Sequence, residues 1–139
     1  MSIILDCSVT LAWYLPDEFD LHSQSILKLV GSKGGVVTYH WRTEMANGLL
    51  TALRRERIEL SFLKSAFDGI DALPLTTDLD GQGRTDERLV RFALDERLTV
   101  YDAIYLEAAV RLRLPLATFD KALARAAKSN DVQVLGPYA

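Results

Sequence analysis

Two aspartates come directly or shortly after apolar segments, whereas most of the other acidic residues lie in polar, solvent-exposed surroundings. Asp6 comes directly after Ile3-Ile4-Leu5, and Asp120 comes shortly after Leu116-Ala117-Thr118. Both runs are typical of short buried strands. Because ligands of open parallel sheets gather outside the carboxyl ends of the strands, we expect these two acids to share one edge of a sheet.

Two further acids are expected at the starts of helices. Glu44 falls in the first turn of a helix predicted from Trp41, where a carboxylate also suits the helix dipole, and Asp102 begins another predicted helix. No Lys or Arg is obviously placed to neutralise the four acids, and crowded carboxylates repel one another unless a hard divalent cation holds them. The pattern favours a site for Mg²⁺, with Mn²⁺ as a substitute. Its candidate ligands are Asp6, Glu44, Asp102 and Asp120.

Three of these acids also have a structural interpretation as helix caps. Asp102 follows Thr99 by three residues, which is the spacing of a capping box, and Asp120 precedes a predicted helix that it could cap. Asp6 could cap the first helix, although Ser8 is the better candidate there. Each alternative stays open for a single residue, and the occurrence of four acids together favours the metal site.

Other kinds of catalytic site have little support in the sequence. There is no G-x-x-x-x-G-K-[ST] loop, no G-x-G-x-x-G turn, no G-x-S-x-G elbow and no H-E-x-x-H helix. The single Cys7 excludes an internal disulfide and a multi-cysteine zinc site. The only histidines, His22 and His40, could cleave RNA by acid–base catalysis if both were positioned and matched in pKa.

Short apolar strands alternate with helices along the chain, which predicts an α/β domain with a parallel sheet of about five strands. The predicted strands are 3–5, 36–38, 73–75, 116–118 and 132–135. Helices are predicted at 9–15, 21–30, from Trp41 to the arginines at 54–57, and at 59–70, 86–96, 102–110 and 121–128. The polar stretch 76–83 is expected to be a mobile loop. No linker divides the chain, so we expect residues 1–139 to form a single domain.

Composition limits the partners and the compartment. The 139 residues are 49% hydrophobic and 25% charged, which suffices for a core without disulfides or a structural metal. Sixteen Lys and Arg against nineteen Asp and Glu give a net charge of -3, so any nucleic acid must be held locally. The chain starts without a basic leader region, and no apolar run approaches the roughly 18 residues of a membrane span. We expect a cytoplasmic protein without membrane association.

The four acids lie in four short motifs. In chain order these are Leu5-Asp6-Cys7-Ser8-Val9, Trp41-Arg42-Thr43-Glu44-Met45-Ala46-Asn47, Tyr101-Asp102-Ala103 and Leu116-Ala117-Thr118-Phe119-Asp120. Their order, distances and predicted settings resemble the PIN-domain nucleases, most closely the VapC-type toxins of bacterial toxin–antitoxin modules. The resemblance covers nearly the whole chain, and it implies a three-layer α/β/α PIN-like fold.

By this resemblance the protein would be a Mg²⁺- or Mn²⁺-dependent endoribonuclease, inhibited by a cognate VapB-type antitoxin and usually homodimeric. The family's acidic metal-site positions are occupied here by Asp6, Glu44, Asp102 and Asp120. Its supporting polar positions are occupied by Ser8, Asn47 and Thr118. Glu44 is either a metal ligand or the group that orients the attacking water. The sequence leaves open whether one or two ions bind.

An acidic site that cleaves a polyanion needs basic side chains beside it. The candidates for RNA contacts are Arg42, Arg54, Arg55, Arg57, Arg84, Arg88, Lys121, Arg125 and Lys128. Each of them could equally be an ordinary solvated helix residue. Because sequence-specific recognition of RNA usually involves unpaired bases, a structured RNA with an exposed loop is the expected target.

Two other functions compete with this interpretation. A phospho-acceptor, receiver-like signalling domain is also a small acidic α/β domain, but it needs an acceptor aspartate at the end of a central strand. The predicted strand 36–38 ends instead in Thr38-Tyr39-His40. A non-catalytic PIN scaffold would be expected to lack an acidic position, and all four acids are present.

Overall fold

The computed structural model describes residues 1–139 and contains five strands, seven α-helices and one 3₁₀ turn. The strands are β1 (Ile3–Leu5), β2 (Gly35–Thr38), β3 (Leu75–Asp78), β4 (Leu116–Ala117) and β5 (Val134–Leu135). The helices are α1 (Cys7–Tyr14), α2 (Leu21–Lys33), α3 (Trp41–Arg54), α4 (Phe62–Asp71), α5 (Glu87–Glu96), α6 (Val100–Leu112) and α7 (Lys121–Ser129). The 3₁₀ turn is Gln82–Arg84. The predicted three-layer α/β/α fold with five parallel strands is confirmed.

Parallel pairing brings the carboxyl ends of all five strands to one edge of the sheet. The strand order is β3-β2-β1-β4-β5, and Ile4 in β1 pairs with Val36 on one side and with Leu116 on the other. The chain builds the sheet outward from β1 in one direction through β3, and then in the other direction through β4 and β5. The switch point therefore lies between β1 and β4, where ligands of open α/β sheets bind. Asp6 and Asp120 follow these two strands.

The central strand and one helix form the middle of the core. All three residues of β1 are buried, as expected for a parallel strand covered on both faces. Helix α6 packs on β1, β2 and β4 and also contacts α5 and α7, whereas α1 packs against α2 and α3. The element that carries Asp102 is thus held from several sides. Each helix falls short of the length and hydrophobicity that a bilayer span requires.

The first helix begins earlier than predicted, and Ser8 is not its cap. Asp6 is the N-cap of α1 and accepts hydrogen bonds from the amide of Ser8 at 2.6 Å and from that of Val9 at 3.3 Å. The Ser8 hydroxyl instead donates to the same carboxylate and accepts a hydrogen bond from the amide of Phe119. The structural interpretation of Asp6 as a helix cap is therefore correct.

The predicted mobile loop at 76–83 is partly a strand. β3 pairs along its whole length with β2, and Pro74 precedes it instead of interrupting it. The end of β3 is held by Asp78, which forms an ion pair with Arg111 of α6. Arg111 also pairs with Glu107 at 2.8 Å. These contacts across the fold order a segment whose composition alone is typical of a loop.

A glycine after β5 provides a test of how closely the site edge is packed. Gly136 has a φ of +131°, and a Cβ there would collide with the carbonyl oxygen of Thr118, just after β4. We expect Gly136→Ala to lower the free energy of unfolding by about 1–3 kcal/mol, because it adds backbone strain to the collision. Thermal or urea unfolding measures the change. Gly83→Ala is the control, since open space surrounds Gly83. Equal stability of the two variants would contradict the packing.

Candidate active site

Asp6 is a buried carboxylate that joins the two strands at the switch point. Only 3% of its surface is exposed. Its Oδ1 accepts hydrogen bonds from the amides of Ser8 and Val9 and from the Ser8 hydroxyl, and its Oδ2 accepts one from the hydroxyl of Thr118. Burial raises the pKa of Asp6 to about 6, and these hydrogen bonds offset the effect only in part.

The predicted supporting residues Ser8 and Thr118 connect Asp6 to the chain that follows β4. While both hydroxyls donate to Asp6, Ser8 Oγ accepts from the amide of Phe119 and Thr118 Oγ1 from the amide of Asp120, each at 3.0 Å. One continuous hydrogen-bond network therefore positions Asp6 and the backbone at Asp120. The third predicted supporting residue, Asn47, is exposed, and its side chain makes no hydrogen bond within the protein.

The capping interpretations of Asp120 and Asp102 have different outcomes. Asp120 is the N-cap of α7 and accepts from the amide of Leu123 at 2.8 Å. Thr99 is the N-cap of α6 and accepts from the amide of Asp102 at 3.1 Å, but the Asp102 carboxylate does not complete the capping box. Asp102 is half-buried, and its carboxylate accepts no hydrogen bond from the protein.

Asp102 lies within electrostatic reach of the other three acids. Burial, and then the charges of neighbouring acids, raise the pKa of Asp102 to about 6. The contributing acids are Asp120, Asp6 and Glu44, in decreasing order. His40 alone opposes them, and no Lys or Arg forms an ion pair with any of the four. The site therefore concentrates negative charge that no ion pair with a Lys or Arg offsets.

Glu44 is held as an anion by two neighbours. Its Oε1 accepts a hydrogen bond from the hydroxyl of Tyr105 at 2.6 Å and lies 3.3 Å from His40 Nε2. Burial tends to raise the pKa of Glu44, but the hydrogen bonds from His40 and Tyr105 outweigh burial and bring that pKa below its ordinary value. His40 is itself fixed through Nδ1, which lies 2.7 Å from the Thr38 hydroxyl. Glu44 Oε2 has no hydrogen-bond partner in the protein.

The four carboxylates do not by themselves form a closed set of metal ligands. No three His, Cys, Asp or Glu side chains are grouped closely enough to hold a metal ion. Mg²⁺, however, is usually bound through only one or two carboxylates and keeps several of its waters. The unpartnered carboxylate of Asp102 and the free Oε2 of Glu44 are hard oxygen donors of the kind it prefers. The donor set therefore fits a largely hydrated Mg²⁺ ion.

The sequence analysis does not identify Tyr105 as a site residue, and it considers His40 only as a partner of His22 in acid–base catalysis. Tyr105 follows Asp102 by three residues, so both lie on one side of α6, and a buried tyrosine hydroxyl usually has a partner. That spacing is the one signal in the sequence by which Tyr105 could have been found.

His40 does not form a hydrogen-bonded pair with His22, which is exposed on α2. The structure therefore does not join the two histidines.

The candidate RNA-binding residues fall into two groups. Four already bond to other residues of the protein: Arg42, Arg57, Arg88 and Arg125. Five form no ion pair and no side-chain hydrogen bond: Arg54, Arg55, Arg84, Lys121 and Lys128. Lys121 directly follows Asp120 at the site, whereas Arg54 ends α3 at about 15 Å along the helix from Glu44. Only some of the predicted basic residues therefore flank the acids.

Comparison with solved structures finds the same fold in other proteins. The crystal structure of PAE2754 from Pyrobaculum aerophilum has a TM-score of 0.68 and 20% sequence identity, and the match covers 97% of this chain and 84% of that one. FitAcB from Neisseria gonorrhoeae has a TM-score of 0.60 and 19% identity, with 98% of each chain covered. No protein-family model and no curated protein matches the sequence. These structural similarities establish a PIN-like fold, as the motifs imply.

The raised pKa values predict how stability depends on pH. Because the pKa of Asp6 and that of Asp102 are each raised to about 6, the folded protein retains protons that the unfolded chain releases near pH 4. Stability in EDTA is therefore expected to fall as pH rises from about 4 through about 6. Asp102→Asn should weaken this dependence and melt several degrees above the wild type at neutral pH.

Melting curves between acidic and neutral pH test this expectation. Asp80→Asn is the matched control, because Asp80 is exposed and makes no hydrogen bond or ion pair. Its curve should follow that of the wild type. If Asp102→Asn melts below the wild type at neutral pH, the carboxylate stabilises the fold and the electrostatic description of the site is wrong.

Proposed function

We propose that this PIN-like domain is a divalent-metal-dependent endoribonuclease. In this proposal Asp6, Glu44, Asp102 and Asp120 hold Mg²⁺, or Mn²⁺ in its place, directly or through its waters. The observation that carries the proposal is Asp102, a half-buried carboxylate without a hydrogen bond, whose pKa is raised by burial and by three other acids. Such repulsion is unfavourable unless a cation offsets it.

The residues around the ion would have distinct roles. When bound, the cation polarises the scissile phosphate and lowers the pKa of a water molecule. Asp6 provides a fixed carboxylate, since Ser8 and Thr118 leave its side chain no freedom to turn. Glu44, kept ionised by Tyr105, is suited to orient the attacking water and accept its proton. Attack by water would leave a 5′-phosphate and a 3′-hydroxyl.

The RNA would be held by basic groups that the protein has left unpaired. Lys121 begins α7 next to Asp120, and Arg84 follows the carboxyl end of β3. Lys121 therefore flanks the acids directly. Arg84 lines a cavity with Glu107 and Arg111, about 8 to 14 Å along α6 from Asp102, and would contact RNA that extends beyond the acids. Single-stranded RNA is the favoured substrate, because its phosphates and bases can both approach a site at the end of a sheet.

The biological role that we propose follows from the resemblance to the VapC-type toxins. The nuclease would act in the cytoplasm as a toxin, form a homodimer and be neutralised by a cognate VapB-type antitoxin. The sequence motifs and the shared fold support this role, and the catalytic proposal does not depend on it.

The two competing functions differ from this proposal in ways that can be observed. A receiver-like domain would carry a phosphoryl group on Asp6, the aspartate at the end of the central strand, after incubation with a small phosphoryl donor, whereas the proposed nuclease would not. A non-catalytic PIN scaffold would bind RNA or protein partners without cleaving RNA. Cleavage of RNA by the purified protein would therefore exclude the scaffold function.

Metal dependence is the first test of the proposed activity. The purified protein is expected to cleave single-stranded RNA in Mg²⁺ or Mn²⁺ and to stop in EDTA. Asp102→Asn should abolish cleavage while the protein stays folded, and Asp80→Asn should cleave like the wild type. Gel assays and sequencing of the RNA ends measure both effects. Cleavage that persists in EDTA and leaves 2′,3′-cyclic phosphates would refute the metal mechanism.

The basic flank is tested by the salt dependence of RNA binding. In the Asp102→Asn background, replacing Lys121 and Arg84 by Gln should lower the slope of log affinity against log salt by roughly 0.7 for each phosphate that the variant no longer binds. Arg54→Gln with Arg55→Gln removes the same charge at the far end of α3 and should leave the slope unchanged. The opposite result would mean that RNA enters along α3.

A further inference from the structure

Tyr101 is an exposed aromatic residue next to the candidate site. It directly precedes Asp102 on α6, and 61% of its surface is exposed. Its hydroxyl makes no hydrogen bond in the protein. The residue is not used by the metal site described above, so its large exposed ring is free for another contact.

The ring of Tyr101 is supported from one side. It lies nearly parallel to the imidazole of His40, with an angle of 22° between the planes and 6.3 Å between the centroids. His40 Nε2 donates to the Tyr101 carbonyl at 3.1 Å, and the imidazole also packs on Tyr105 at a centroid distance of 4.7 Å. These contacts fix the imidazole and the Tyr101 backbone, so the ring has a rigid neighbour on one face and leaves its other face free for a ligand.

A cavity of about 350 Å³ opens beside this ring. Its walls are Tyr101 and three residues of α3, namely Thr43, Glu44 and Asn47. Thr43 and Asn47 are exposed one helical turn apart, and neither side chain makes a hydrogen bond within the protein. A hydroxyl and a carboxamide together offer both donors and acceptors. Glu44 links the cavity to the catalytic carboxylates.

We propose that this cavity binds one unpaired nucleobase of the RNA, stacked on Tyr101 with its edge towards Thr43 and Asn47. Aromatic side chains are the usual platforms for unstacked bases, and amide and hydroxyl groups recognise base edges. The inference rests on the proposed nuclease function and assigns base recognition to the same site. The base bound here would belong to a nucleotide next to the scissile phosphate, because Glu44 lines both sites.

Steady-state cleavage of a short single-stranded RNA with one mapped cleavage site tests the stacking. Tyr101→Ala should raise KM by about tenfold, with a smaller effect on kcat. Tyr101→Phe should behave like the wild type, because stacking needs the ring and not the hydroxyl. Phe19→Ala is the matched control and should leave KM unchanged, since Phe19 is 44% exposed and follows the end of α1 that lies away from Asp6.

Abasic substrates then identify the base. Each nucleotide that flanks the cleaved bond is replaced in turn by an abasic one. At one of these positions, the abasic substitution should lower the activity of the wild type by the same factor as Tyr101→Ala lowers activity on the intact RNA. The same abasic RNA should not lower the activity of Tyr101→Ala any further. If the effect of Tyr101→Ala and the effect of the abasic substitution multiply at every position, the proposed stacking contact is wrong.

A binding measurement in EDTA, with the same short RNA labelled with fluorescein, separates this inference from the nuclease proposal. If the wild type cleaves in Mg²⁺ and Tyr101→Ala binds and cleaves equally well, the base site is wrong and the nuclease proposal stands. If the wild type binds without cleaving and Tyr101→Ala binds about tenfold more weakly, the base site is right and the nuclease proposal is wrong. A protein that neither binds nor cleaves the RNA overturns both.

Discussion

The hydrogen-bonded burial of Asp6 is the constraint on which the site depends. A charged group can stay in the interior only when its lone pairs are satisfied, and Ser8 and Thr118 provide that satisfaction from two different strand ends. The same hydroxyls accept from the backbone that leads to Asp120. The pairing of β1 with β4 and the positions of two acids are therefore set by a single group of contacts.

The protein treats the other two acids in opposite ways. Glu44 receives donors from Tyr105 and His40 that keep its pKa low, whereas Asp102 receives none and is surrounded by like charge. Environments that move the pKa values of neighbouring acids apart commonly give those acids different tasks. Glu44 is suited to stay ionised near neutral pH, and Asp102 would gain most from the cation of the proposed site.

Local patterns are sufficient to predict the parallel sheet and the edge that the acids share, because apolar runs mark buried strands and parallel strands end together. They cannot predict contacts between distant residues. Thr118 reaches Asp6 across 112 residues of sequence, and Tyr105 reaches Glu44 across 61. The first contact helps to fix Asp6, and not Ser8, as the helix cap, and the second is the reason that sequence reasoning misses Tyr105. Similarly, the ion pair of Asp78 with Arg111 orders a segment predicted to be a loop.

Helix α6 has a consequence for how a substrate must meet this protein. Tyr101, Asp102 and Tyr105 lie on one helix whose middle residues are almost completely buried. Elements of this kind open only at a free energy close to that of unfolding the whole domain. The site therefore has little capacity to reshape itself by moving this helix. In the proposed nuclease, adaptation would therefore fall to the RNA, and the conformations that the RNA can reach would determine where it is cut.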